Sequence, residues 1–125
     1  MLETKQIEYE DANYHLVITV KQGSLRDGMR RAALSTQARS TFTTMPEDLM
    51  DFYVPVEFFP AMKAGTHEIV STGARELSLD FTLEEVMELP EVLVNAWWEA
   101  VWDLNPVWCP FPRGKAMTPN GSTTS

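Results

Sequence analysis

Apolar and polar residues alternate in two stretches of the chain, and this alternation predicts β-strands. In residues 14–21, YHLVITVK, the side chains of Leu16, Ile18 and Val20 share one face, and β-branched residues are frequent. A period of two residues is typical of a strand that buries one of its faces. Residues 76–81, ELSLDF, repeat the pattern and predict either a second strand or an extended lead-in to the next helix.

A helix is predicted directly after the first strand. Gly23 breaks the strand, and Ser24 with Asp27 three residues later predicts an N-cap with an acid in the first turn. We expect this helix to extend to about Ala38. Its apolar stripe consists of Leu25, Met29 and Ala32 or Ala33. The arginines lie mostly off that stripe, and we interpret them as a solvated, partly paired face: Arg26, Arg30 and Arg31.

Prolines limit the helical structure that can follow. Pro46 and the two acids after it suit the first turn of a helix, because proline loses no hydrogen bond there. Pro55 and Pro60 each lack a backbone donor, which prevents one long helix. Residues 48–63 are therefore predicted to form a short helix followed by an irregular or second short helical piece.

The strongest helical pattern covers residues 90–104. Thr82 and Glu85 have the spacing of a capping box for a short preceding helix that ends near Leu89, and Pro90 is well placed to begin the next helix. Apolar residues at helical spacing predict a core stripe, formed by Leu93, Trp97, Ala100, Val101 and Leu104. Trp97 is therefore assigned to the core.

Apolar side chains on this helix extend beyond the core stripe. Two interpretations remain open: a small domain buries the helix centrally, or part of the tryptophan surface is exposed. Exposed tryptophans mark sites where proteins bind one another. On the second interpretation we expect Trp98 and Trp102 to be exposed anchors. The predicted partner-binding residues are Val94, Trp98, Val101, Trp102 and Trp108.

Charge is distributed unevenly over the 125 residues, whose formal net charge is −8. Residues 76–103 contain eight acids and no base, and residues 1–12 contain four acids and one base. We predict an acidic N-terminal arm (1–12), a single compact domain (13–112) and a disordered tail (113–125), which offers little apolar surface to bury. The expected fold class is α+β, a mainly helical small domain with a short N-terminal strand or hairpin.

The same charge narrows the classes of partner. An acidic surface repels phosphate backbones and anionic lipid, so we expect neither nucleic acid nor a membrane as a partner. The longest apolar stretches are shorter than the ~20 residues that a bilayer-spanning helix needs. The N-terminal residues lack the pattern of a signal peptide, so an intracellular protein is expected.

Residues suited to catalysis occur without the neighbours that catalysis needs. His15 and His67 lack the spacing of a metal site, and we interpret them as ordinary strand and loop histidines. Cys109 has no local signature of a nucleophile and is interpreted as a packed thiol. The glycines form no nucleotide-binding motif. We therefore expect a protein that is not an enzyme and has no catalytic, cofactor-binding or metal-binding residues.

Two segments resemble a known protein family. Residues 81–108, FTLEEVMELPEVLVNAWWEAVWDLNPVW, combine a Leu-Pro-Glu helix start, an aromatic helix, and then Asn-Pro and a tryptophan. Together with residues 53–65, YVPVEFFPAMKAG, and the strand-helix opening, they are similar to the small tail assembly chaperones of long-tailed, siphovirus-type bacteriophages. The resemblance covers most of residues 13–110. The predicted strand at 14–21 departs from the all-helical structure expected of such a chaperone.

The resemblance implies an acidic chaperone that coats the long, hydrophobic tape measure protein in the host cell cytoplasm. It also implies that the tail tube protein is recruited around this complex, and it leaves self-association into a homo-oligomer open. No catalytic residue follows from it. The alternative function is an acidic inhibitor that mimics nucleic acid with residues 76–103 and occupies the basic groove of a host enzyme. Binding of that kind weakens steeply as salt increases.

Overall fold

The computed structural model describes residues 2–111 and shows an α+β fold. Two strands come first, helices follow, and a third strand precedes the last two helices; the buried apolar residues of this part of the chain form one main cluster. In chain order, the elements are β1 (Thr4–Glu10), β2 (His15–Lys21), α1 (Leu25–Arg39), α2 (Met50–Tyr53), a π turn (Val54–Phe58), α3 (Phe59–Gly65), β3 (Thr66–Ser71), α4 (Leu83–Met87), α5 (Glu91–Leu104) and a 3₁₀ turn (Pro106–Trp108). The predicted tail, 113–125, lies outside the described residues.

The described strands form one antiparallel sheet in the order β1-β2-β3. The predicted strand is β2, and its face of Leu16, Ile18 and Val20 is completely buried. The prediction of an acidic arm over 1–12 is wrong, because residues 4–10 form β1, whose Ile7 and Tyr9 pack against the core. The prediction of an arm rested on the acids of this segment, but the apolar residues Ile7 and Tyr9 alternate with them, as in a strand.

Residues 76–81 are not a strand, so the prediction of a strand there is wrong and the lead-in alternative describes them. Leu77 and Phe81 are buried, but Leu79 is exposed at a turn. Lys63 holds this turn: its Nζ donates to the carbonyl oxygens of Leu79 (3.1 Å) and Phe81 (2.9 Å) and lies 4.3 Å from the centroid of the Phe81 ring. The third strand of the sheet is β3 instead.

Helical structure continues from Met50 to Gly65, where a short helix followed by an irregular or second short helical piece was predicted. The π turn explains the difference. The backbone N–H of Phe59 donates to the carbonyl of Val54, five residues earlier, and Pro55 lies at the start of the turn. Pro60 lies in the first turn of α3. A wider turn accommodates a missing donor without ending the helix. The prolines therefore change the type of helix, and the helical backbone continues through both of them.

α1 begins at the predicted capping box, in which Ser24 and Asp27 bond each other's backbone N–H groups. The predicted apolar stripe of α1 does not face the core: Leu25 and Met29 are 83% and 65% exposed. α1 packs on α3 and the π turn through its opposite side, where Ser35 is buried. Arg31 is partly buried on that side, whereas Arg26 and Arg30 are exposed.

α5 lies at the centre of the fold and contacts α3, β1 and β2. Trp97 is completely buried, as predicted for the core. Its indole Nε1 donates to Thr66 Oγ1 (2.9 Å), and that hydroxyl donates to the carbonyl of Met62 (2.6 Å). One chain of hydrogen bonds thus joins α5 to the junction between α3 and β3, and it leaves no unpaired donor on the largest core side chain.

The 3₁₀ turn returns the chain to the core after α5. Trp108 lies against Gly23 and Gly65, where a Cβ atom would come within 2.5 Å and 3.3 Å of its ring. Asn105 connects the same region through its amide, which accepts from the N–H of Gly23 and donates to the carbonyl of Lys21. These contacts explain why an Asn-Pro pair and a tryptophan follow the aromatic helix: they attach the end of α5 to the β2–α1 connection and to α3.

Candidate partner-binding groove

The structure gives the predicted partner-binding residues very different exposures. Trp98 is partly exposed, but Val94 (7%), Val101 (0%), Trp102 (4%) and Trp108 (8%) are buried. The expectation that Trp102 is an exposed anchor is therefore wrong. Of the two interpretations of the tryptophan helix, central burial describes most of it, and Trp98 is the anchor residue that remains at the surface.

Phe58 is the reason that Trp102 is buried. The π turn places the ring of Phe58 at 4.4 Å from Trp98 and 5.0 Å from Trp102, measured between centroids. The two indoles stack on each other at 6.1 Å. Phe58 lies forty positions before Trp98 in the chain, so helical spacing within α5 could not reveal the cover that it provides.

Trp98 and Val94 line an apolar groove of about 210 Å³. One wall is formed by α2 and the π turn, and the other by α4 and α5. The remaining lining residues are Met50, Val54, Val86, Met87, Leu89, Glu91 and Asn95. The groove thus brings two of the five predicted partner-binding residues together, and it does not include Val101, Trp102 or Trp108.

Two methionines at the groove are exposed, and the sequence analysis did not select them. Met50 is 44% exposed and Met87 is 57% exposed, on opposite walls. Methionine is unbranched and polarizable, so it adapts to partners of different shape. In the sequence, these two residues are distinguished only by being apolar and by lying outside the core stripe predicted for residues 90–104. Their position on one groove, however, depends on tertiary packing.

The one charged residue in the lining of the groove is an acid, Glu91. The lining residues include neither lysine nor arginine. A negative charge at the groove disfavours anionic ligands and keeps an exposed apolar surface hydrated. The arrangement suits an apolar or basic-apolar segment of another protein.

The residues considered for catalysis lie apart from this groove. His15 Nε2 lies 3.0 Å from Glu8 Oε2, and this hydrogen bond raises the pKa of His15 above its ordinary value. His67 is exposed on β3, so its predicted loop position is wrong. Cys109 is partly buried. Across residues 2–111, no cluster of three or more His, Cys, Asp or Glu residues is arranged to hold a metal ion.

Comparisons with protein-family models, with curated proteins and with solved structures gave no match to this chain. Among the described residues, no helix combines the length and the apolar character needed to cross a membrane.

Proposed function

We propose that this chain is a tail assembly chaperone of a long-tailed bacteriophage, which binds apolar segments of the tape measure protein in the host cytoplasm and supports assembly of the tail tube. The observation that carries the proposal is the groove itself: a partly exposed tryptophan and two exposed methionines, with one acid, Glu91, in the lining. The similarity of residues 53–65 and 81–108 to such chaperones supports the choice of partner. No step of this role requires catalysis.

The size of the groove indicates how such a chaperone works. A groove of about 210 Å³ admits only a few side chains of a partner. Each apolar side chain that is fully buried contributes about 1.5–3 kcal/mol, whereas association itself costs at least about 4 kcal/mol. One groove therefore binds weakly. A long partner offers many such sites, and each weakly bound copy dissociates readily as the tube forms.

The proposal predicts that a very long reading frame just downstream of this gene encodes the tape measure protein, and co-expression with that protein tests it. We expect capture of the tape measure protein to fall at least about fivefold for Trp98→Ala and for Met87→Ser, because each removes apolar contact area in the groove. The matched control is Met29→Ser, since Met29 is 65% exposed on α1 and does not line the groove. Equal capture by all four proteins, with folding verified by circular dichroism, contradicts the proposal.

Salt separates this proposal from the acidic inhibitor. Apolar contact in the groove persists or strengthens as salt is raised, whereas a nucleic-acid mimic loses affinity steeply. We expect retention of the tape measure protein to be unchanged between low salt and roughly 0.5 M salt, at which charges beyond a few ångströms are screened. Loss of the complex over this range, with capture of a basic nucleic-acid-binding enzyme instead, favours the alternative.

A further inference from the structure

A second and larger groove lies between α1, the start of the helical run and the end of the described chain. Its volume is about 640 Å³. α1 contributes Arg31, Ser35 and Arg39, all on one face of the helix, since they are spaced four residues apart. The facing wall contains aromatic, apolar and acidic residues, among them Phe52, Glu57 and Trp108.

Arg31 is a partly buried cation without an acidic partner. Its guanidinium carbon lies 5.8 Å from the centroid of the Trp108 ring, and its Nε is buried with no hydrogen-bond acceptor. None of the ion pairs found within residues 2–111 includes Arg31. A partly desolvated cation is costly unless a counter-ion compensates it. The open groove beside Arg31 is where such a counter-ion can enter.

Arg39 occupies the same groove two helical turns later. Its guanidinium carbon lies 5.5 Å from the centroid of Phe52, and its Nη2 donates to Glu57 Oε2 at 3.2 Å. Both arginines are thus held over aromatic rings, which lowers the entropy that they lose on binding a ligand. Glu57 already neutralises Arg39, so the three charged groups leave one positive charge, on Arg31, for a ligand.

We propose that this groove binds a short acidic peptide segment of a partner protein, with one Asp or Glu carboxylate on Arg31 and apolar neighbours against Met45 and Val107, which line the groove and are 58% and 88% exposed. A single free cation matches a single carboxylate. The Glu57 carboxylate at the groove repels a polyanion such as a nucleoside triphosphate or nucleic acid. Residues 112–125 contain neither Asp nor Glu, so their side chains cannot supply the carboxylate. This site is independent of the proposed function.

Side-chain NMR of the full chain tests the assignment. The buried position of Arg31 Nε slows exchange of its proton, so its ¹⁵N–¹H resonance can be followed directly. The probes are a library of end-capped pentapeptides with a central Glu and random uncharged residues elsewhere, a matched library with a central Gln, and inorganic phosphate. We expect the Glu library to shift the Arg31 resonance in a saturable way, and the other two probes to leave it in place at equal concentration.

Variants extend the test. Arg31→Gln is expected to weaken binding of the Glu library at least about tenfold, the loss typical of one charge-assisted hydrogen bond. Arg26→Gln is the control, because Arg26 is exposed on α1 and does not line the groove. Three results overturn the proposal: no shift with the Glu library, an equal shift with the Gln library, or an equal shift with phosphate, which indicates a general oxyanion site. All three results are measured on the unsubstituted chain, so they remain decisive even if Arg31→Gln fails to fold.

Discussion

Asn105 shows how one polar side chain can join distant parts of a fold. It is buried, and its amide oxygen accepts from the N–H of Gly23 at 2.7 Å. Its amide nitrogen donates to the carbonyls of Lys21 (2.9 Å) and Val101 (3.0 Å). The side chain therefore satisfies backbone groups of the β2–α1 connection, and it adds a second hydrogen bond to the Val101 carbonyl, which also accepts from the backbone N–H of Asn105 at 2.9 Å.

Asn105→Ala is predicted to lower the free energy of unfolding by about 2–3 kcal/mol, because it leaves a partly buried N–H and a carbonyl without partners. Urea denaturation followed by circular dichroism measures the change. Asn95→Ala is the control, since Asn95 is exposed on α5, and it is expected to change stability by less than about 0.5 kcal/mol. Equal effects of the two substitutions contradict the structural role of Asn105.

At the level of elements, the close packing of α3 on α5 depends on the absence of a side chain at Gly65. A Cβ atom there would lie 2.7 Å from Val101 Cγ1 and 3.3 Å from the ring of Trp108. Valine is stiff at χ1 in a helix, so it cannot rotate away. Gly28, in contrast, lies within α1, and a Cβ atom added there would have Trp108 Nε1 as its nearest neighbour, at 4.0 Å.

Replacing these two glycines with alanine is predicted to have opposite effects. Gly65→Ala should destabilise the fold by about 1–3 kcal/mol through overpacking, and Val101→Ala in the same chain should relieve part of that loss. Gly28→Ala should stabilise the fold by about 0.5–1 kcal/mol, because alanine favours a helix more than glycine does. Thermal and urea denaturation measure both changes. A destabilised Gly28→Ala protein would be evidence against this packing.

Elements with strong local signals could be predicted from the sequence. Elements and surfaces that depend on contacts between residues far apart in the chain could not. Both capping boxes, β2 and α5 follow from local spacing. β3 was missed because THEIVS is mostly polar, and its place is defined by pairing with β2. In the candidate groove, Val94 and Trp98 were predicted from α5 alone. Met50 and Met87 reach the same groove from elements 37 positions apart in the chain, which a helical period cannot show.

For the whole molecule, charge sets the pH range of stability. Hydrogen bonds from the Tyr9 hydroxyl and the N–H groups of Tyr14 and Asn13 hold the pKa of Asp11 below its ordinary value. Burial raises the pKa of Asp27, but hydrogen bonds from Ser24 and the charge of Lys21 outweigh burial and lower it overall. Groups of this kind stabilise the fold above their unfolded pKa and lose that contribution as pH falls.

His15 acts in the opposite direction. Its pKa is raised, mainly by the hydrogen bond to Glu8, so its contribution is complete below the ordinary value of 6.5 and is lost as pH rises through the folded value. With the aspartates ordinarily at 3.8, these groups place maximal stability between about pH 4 and pH 6.5.

Melting temperatures across the pH range are predicted to reflect these groups separately. Asp27→Asn should reduce the fall in melting temperature below pH 4, and His15→Gln should reduce the fall above pH 6.5, because each removes one titrating group. Each variant serves as the control for the other. If His15→Gln leaves the slope above pH 6.5 unchanged, the Glu8 contact does not stabilise the sheet.

The different environments of the tryptophans give the protein a built-in optical reporter. Trp97, Trp102 and Trp108 are at most 8% exposed, and Trp98 lines the groove. A neutral quencher such as acrylamide should therefore reach mainly the Trp98 indole. A fluorescence titration with acrylamide can thus measure how much of the groove is occupied, without a label and in the presence of a partner that lacks tryptophan.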